Sequence, residues 1–206
     1  MHDRIFLACT PRTGNLWIRS LVGRALNLPT FAVHNPGELD WSALPARCLV
    51  AMHWRHSPAF DRFLREQGFR VMVTTRHPLD VLVSILHFAP LEPATARWLE
   101  GECGNERSLA GVTPDSDAFS AYCLSPRAAA LLSVSVDWRQ AADATLRYED
   151  VLDSPGAAVA KLLLDRVERE LRGVEKHQAR GRVARDLAAE LRANRAAGAG
   201  HEHGLG

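Results

Sequence analysis

Five apolar residues, Ile5-Phe6-Leu7-Ala8-Cys9, run straight into the polar segment Thr10-Pro11-Arg12-Thr13-Gly14-Asn15, and a helical pattern follows. A short unbroken apolar run bounded by turn residues reads as a strand buried on both faces. Such strands belong to parallel sheets, and a parallel pair needs a crossover, usually a helix. This junction therefore narrows the chain to α/β architectures. It also sets a helix N-terminus, with unpaired N–H groups and the positive end of a dipole, at a strand's carboxyl end. Phosphate suits that place, and Arg12 adds a full charge with bidentate reach. The pattern G-x-x-x-x-G-K-[ST] is absent, so this is not the usual nucleoside triphosphate loop.

The alternation continues along the first half. Strand one is expected over Arg4–Cys9 and its helix over Asn15–Leu26. A second apolar run, Cys48–Met52, ends at His53. Ser57-Pro58 opens a helix to about Gln67, where Gly68 stops it. Phe69–Thr75 reads as a third strand, and Pro78 begins a helix to about Phe88. This order predicts a three-layer, P-loop-like α/β fold with a central, mainly parallel sheet flanked by helices. Ligands in such sheets bind beyond the carboxyl ends of the strands. The loop Thr10–Asn15, His53 and Arg76 all fall at such ends. Ala89–Asp117 is irregular and longer than ordinary connections, which suits a lid or binding loop. Ala118–Val136 reads as a helix interrupted at Pro126, and Ala144–Tyr148 as a short strand. Ser154-Pro155 starts a helix toward Leu171, and Arg182–Arg195 is the final helix. Residues 1–195 are expected to form a single domain, and the Gly- and Ala-rich residues 196–206 a flexible tail.

Composition narrows the partners. A chain of 206 residues with net charge +1 argues against a dedicated nucleic-acid binder. No apolar run approaches the ~18 residues of a membrane span, and strand one begins too early for a leader peptide, so a cytoplasmic protein is expected. Cys9, Cys48, Cys103 and Cys123 form no C-x-x-C pair and read as free thiols. The sequence carries no signal for oligomeric state.

A second anion-binding pattern follows strand three: Arg76-His77-Pro78-Leu79-Asp80-Val81-Leu82-Val83-Ser84. An arginine ending a strand and a hydroxyl two turns into the next helix suit one phosphate held at two corners.

In this order the motifs resemble the sulfotransferases that use 3′-phosphoadenosine 5′-phosphosulfate (PAPS). Pro11-Arg12-Thr13-Gly14-Asn15-Leu16-Trp17 is similar to that family's 5′-phosphosulfate loop. Arg76 and Ser84 match its 3′-phosphate element at the same spacing. His53 fills the place of its base histidine at a strand end. Leu86-His87-Phe88 resembles its Tyr-His-Phe ending, which implies substrate contacts from His87 and Phe88. Arg147-Tyr148-Glu149-Asp150 resembles its Tyr-Glu-Asp segment, and Arg180-Gly181 the late basic-Gly loop over the 3′-phosphate. The resemblance implies cofactor contacts from Arg12, Thr13, Gly14, Asn15, Leu16, Trp17, Arg76, Ser84, Tyr148, Arg180 and Gly181. It implies catalysis by His53 and Arg12. Leu16 departs from the family, which usually offers a hydroxyl there.

Sulfuryl transfer fits these residue types. The moving group carries less negative charge than a phosphoryl group, so no metal is required. Charge builds on the leaving 5′-phosphate, where Arg12 and the loop N–H groups stabilise it. The acceptor, a small-molecule hydroxyl or amine, loses a proton as it attacks. A histidine near its ordinary pKa is the expected base. His53 takes that role, with His56 and His87 as rivals, and Trp17 offers a face for adenine. The product would be adenosine 3′,5′-bisphosphate. Two alternatives stand beside this: a kinase-like phosphotransferase using ATP and magnesium, and a nucleotide-binding module that has lost catalysis.

Overall fold

The apolar runs become the strands of one sheet. A computed structural model describes residues 3–91, 95, 98–99 and 106–161. In it, β1 (Asp3–Cys9), β2 (Thr30–Val33), β3 (Arg47–Met52), β4 (Phe69–Thr75) and β5 (Ala144–Arg147) pair in the order β2-β3-β1-β4-β5. Every pairing is parallel. The central strand β1 has Phe6, Leu7, Ala8 and Cys9 fully buried, as its unbroken apolar run requires. The helices are α1 (Asn15–Ala25), α2 (Pro58–Glu66), α3 (Pro78–Phe88), α4 (Asp117–Cys123), α5 (Pro126–Arg139) and α6 (Tyr148–Asp153). The chain divides after Val159, and this architecture belongs to the unit Met1–Val159.

Local chemistry explains the helix boundaries. Ser57, Ser116 and Ser125 each cap a helix by accepting the N–H of the residue three positions on: Phe60, Phe119 and Ala128. Pro58, Pro78 and Pro126 occupy first turns, where a missing N–H costs nothing. The Ser125-Pro126 pair therefore does more than interrupt the expected helix at 118–136. It ends α4 and starts α5 afresh. β2 is a strand that the patterning does not announce. It is a four-residue strand, alternately exposed and half-buried, that among the described residues pairs with β3 alone. Its short alternation is easily read as loop. The expected strand at Ala144–Tyr148 ends one residue early, and Tyr148 opens the short helix α6. Residues 155–161 are helical, as Ser154-Pro155 suggests. The expected helix at 182–195, the boundary at 195 and Cys103 lie outside the described residues.

The core closes around aromatic rings. Phe6 of β1 meets Trp138 of α5 at 5.4 Å and Phe60 of α2 edge-on at 5.6 Å. Trp138 is fully buried and donates its indole N–H to the Trp54 carbonyl at 2.7 Å. Among the described residues no single helix is long and apolar enough to cross a membrane.

The chain leaves β1 toward β2 and β3 but leaves β4 toward β5. The loop after β1 therefore sits where the winding reverses, between the ends of β3 and β4. A crevice opens there in sheets of this kind.

Candidate functional site

The loop at Thr10–Gly14 is tied down from behind. The buried Thr10 hydroxyl inserts into α5, donating to Leu131 O at 2.9 Å and accepting from Ser135 N–H at 3.1 Å. The Ser135 hydroxyl returns the contact, accepting Thr10 N–H at 2.8 Å. Thr13 is 1% exposed and its hydroxyl bonds Thr10 O and the Thr74 hydroxyl. Its side chain thus braces the loop from inside rather than facing a ligand. Arg12 and Gly14 both take left-handed backbone angles, φ 67° and 75°. For Arg12 this is a strained conformation, of the sort that persists where the surroundings enforce it. For Gly14 it is easy, and the space is also closed to anything larger. A Cβ there would stand 2.4 Å from the Tyr148 ring.

On the β4 side the loop meets α3. Arg12 donates from Nε to the Ser84 hydroxyl at 3.1 Å, and its guanidinium lies over the Phe88 ring at 4.1 Å. Arg76 reaches the Arg12 carbonyl from Nη1 at 3.0 Å, and lies over the Tyr148 ring at 4.6 Å. Its Nε is buried and unpartnered. Neither arginine has a carboxylate partner among the described residues. The Arg12 guanidinium is held below its ordinary pKa, first by burial and then by the Arg76 charge. Arg12, Arg76, Ser84 and Phe88 line a cavity of about 410 Å³ with Asp80, Val83, His87 and Leu91. Glu149 accepts His77 N–H at 2.8 Å and Arg147 Nε–H at 3.1 Å, which ties α6 to the start of α3.

On the β3 side stands His53. Its Nδ1 lies 2.8 Å from the Cys9 carbonyl, which can only accept, so Nδ1 carries the proton. Nε2 then holds the lone pair and accepts from the Asn15 amide at 3.2 Å. Burial outweighs the Cys9 hydrogen bond and lowers the His53 pKa to about 4, with His34 and Arg12 adding smaller repulsions. The sequence predicts an ordinary pKa; the difference comes from burial of the ring. Trp98, from the irregular segment after α3, meets His53 edge-on at 6.3 Å and stacks on Phe88 at 5.9 Å. A buried ion pair fixes that segment: Arg127 of α5 donates to Glu106 at 2.7 Å and to the Trp98 carbonyl at 3.1 Å. No sequence signal marks Trp98 or this pair, because a tryptophan in an irregular stretch has no periodicity to betray its face.

The rival histidines separate. His56 packs edge-on against Trp138 at 4.8 Å and lines a different cleft, with Arg62 and Asp137. His87 is exposed at the rim of the arginine-lined cavity.

No family model matches the chain. Among curated proteins it is similar to cytosolic sulfotransferase 12 of Arabidopsis thaliana, 23% identical over 133 residues, 48% of this chain and 40% of that protein. Among solved structures it is similar to mouse sulfotransferase SULT7A1 complexed with PAP, with a TM-score of 0.52 and 16% identity. That match covers 80% of this chain and 58% of the mouse chain. This is a sulfotransferase fold. The chain thus spans about half the length of the sulfotransferases it matches.

Within the sulfotransferase fold, the described structure brings Arg12, Gly14, Asn15, Arg76, Ser84, Tyr148, His53, His87 and Phe88 to one end of the sheet. Trp17 is 37% exposed and meets Tyr148 edge-on at 6.1 Å. Leu16 is 67% exposed in the first turn of α1, where its backbone N–H, not its side chain, has polar capacity. Arg180 and Gly181 lie outside the described residues.

Proposed function

We propose that this chain transfers a sulfuryl group from PAPS to a hydroxyl or amine of a small molecule. The observation that carries the reading is the pair Arg12 and Arg76. Two half-buried cations are held together, neither paired with a carboxylate among the described residues, beside the free N–H groups of α1. Like charges gathered this way call for an anion of high charge. A nucleotide with phosphates on both the 5′ and 3′ positions meets that demand. The mouse protein of the same fold is complexed with PAP.

In this reading Arg76 and Ser84 hold the 3′-phosphate, with Tyr148 and Trp17 against adenine. The loop N–H groups and Arg12 hold the 5′-phosphosulfate. His53 Nε2 takes the acceptor's proton as the acceptor oxygen or nitrogen bonds to sulfur. The bond from sulfur to the 5′-phosphate oxygen breaks, and Arg12 meets the charge left on adenosine 3′,5′-bisphosphate. Burial is the main cause of the low His53 pKa; the anion's own charge offsets the smaller repulsions from His34 and Arg12, which makes His53 a better base in the loaded site. Phe88, His87 and Trp98 would shape the acceptor side.

Calorimetry with adenosine 3′,5′-bisphosphate tests the reading. Arg76→Ala is expected to weaken binding by about 1.5–3 kcal/mol, the worth of a lost charged hydrogen bond. Unchanged affinity removes Arg76 from the site. Transfer from PAPS should persist in EDTA; turnover with ATP that depends wholly on Mg²⁺ would assign a phosphotransferase instead.

A further inference from the structure

Asn15 occupies an unusual position for a residue in a phosphate loop. Its side chain is turned away from the arginine-lined cavity and toward His53. The His53 ring has only two in-plane positions, and both are taken. Nδ1–H donates to Cys9 O at 2.8 Å, and Nε2 accepts from the Asn15 amide at 3.2 Å. Nitrogen has one lone pair there. While it accepts from Asn15 it has none to offer an acceptor's proton.

We propose that Asn15 is a positioning residue that couples nucleotide binding to release of the base: its amide covers His53 Nε2 in the free protein and turns to the 5′-phosphosulfate of a bound nucleotide. The inference rests on the reading of this site as a PAPS pocket. Three observations support it. Asn15 is the first residue of α1, so its amide and the free N–H groups of the helix N-terminus share one neighbourhood. A contact of 3.2 Å lies at the long end of the hydrogen-bond range. A bond to a charged phosphate oxygen is shorter and roughly twice as strong as a neutral one, so an arriving phosphate outcompetes imidazole for the amide. The bond from Nδ1–H to Cys9 O keeps His53 from following Asn15, and Trp98 stands beside the ring at 6.3 Å. The consequence is an order: nucleotide first, then a base ready for the acceptor. Acceptor alone meets a covered histidine.

The groups facing His53 are the Cys9 thiol of β1, 3.4 Å from Nδ1, His34 beyond β2, Arg12 of the loop, and Trp98. The thiol is pushed up to about 12 by burial and stays neutral, so it does not confuse a titration of His53.

Nitrogen-15 NMR of the histidine rings in the full chain tests the coupling, with adenosine 3′,5′-bisphosphate as probe. In the free wild type, the His53 Nε2 signal should carry the displacement of an accepted hydrogen bond. Saturating bisphosphate should move it toward the unbonded position. Asn15→Ala should show that position without nucleotide, raise the apparent pKa of His53 by about half to one unit, and lose most of the nucleotide-induced shift. Asn15→Leu, which nearly keeps the size and removes the donor without adding a charge, repeats the readout if the alanine variant does not fold. Bisphosphate that binds by calorimetry but leaves the Nε2 signal in place overturns the coupling alone. So does a free Asn15→Ala protein whose Nε2 signal matches wild type. Failure of the bisphosphate to bind at all overturns the nucleotide reading, and the coupling with it.

Discussion

Replacing Gly14 by alanine puts two separate demands on the site and lets each be measured. The first is backbone strain. Gly14 sits at φ 75°, ψ 19°, squarely left-handed. An L side chain there costs about 1–2 kcal/mol. The second demand is space. The new methyl would stand 2.4 Å from Tyr148 Cδ2 and 2.5 Å from Cε2, so the ring must move. Overpacking of this sort costs about 1–3 kcal/mol. Together Gly14→Ala should destabilise the protein by about 2–5 kcal/mol. The displaced ring also leaves the Arg76 guanidinium, now 4.6 Å from its centroid, and the edge of Trp17. Nucleotide affinity should therefore fall along with stability. Urea unfolding of wild type, Gly14→Ala, Tyr148→Ala and the double variant separates the demands. In the Tyr148→Ala background Gly14→Ala should cost only the backbone share, about 1–2 kcal/mol. An identical cost in both backgrounds would refute the packing argument. A cost under about 0.5 kcal/mol in both would refute the strain as well.

The remaining predictions concern His53 and the pair behind Trp98. His53→Ala should lower turnover by about 10²–10⁴ and leave bisphosphate affinity nearly unchanged by calorimetry; wild-type turnover would move the base elsewhere. The folded pKa of His53 is depressed, from 6.5 to about 4, so the unfolded chain binds the extra proton first. The stability that follows is complete above pH 6.5 and is lost as pH falls toward 4, by about 2–3 kcal/mol, and His53→Gln should flatten that slope in urea titrations. Glu106 and Arg127 are 0% and 4% exposed, so Glu106→Ala leaves a buried cation and should cost about 3–5 kcal/mol in the same assay. If Trp98 borders the acceptor, that variant should also raise KM for the acceptor more than for PAPS.

What a reader of the sequence alone can know here is local. Ile5–Cys9 is apolar without interruption, and only a strand covered on both faces buries such a run, so the parallel sheet was legible. Serine-proline pairs and prolines after strands place helix starts through chemistry that needs no tertiary context. The loop and the Arg76–Ser84 spacing were legible for the same reason: a strand end and a helix start fix where each group sits relative to its own element.

Tertiary structure decided everything that depends on what stands opposite. β2 is too short and too exposed for its pattern to speak, and it is a strand only because β3 offers it a partner. Thr13 carries a hydroxyl that suits a phosphate, yet Thr74 of a neighbouring strand claims it. Arg12 and Ser84 were assigned to different phosphates and meet directly. His53 reads from the sequence as a histidine near its ordinary pKa, and burial of its ring lowers it. Asn15 reads as one more polar loop residue until the ends of β1 and β3 bring His53 within reach of its amide. Propensity and spacing act along the chain, whereas burial, charge repulsion and hydrogen-bond partners act across it.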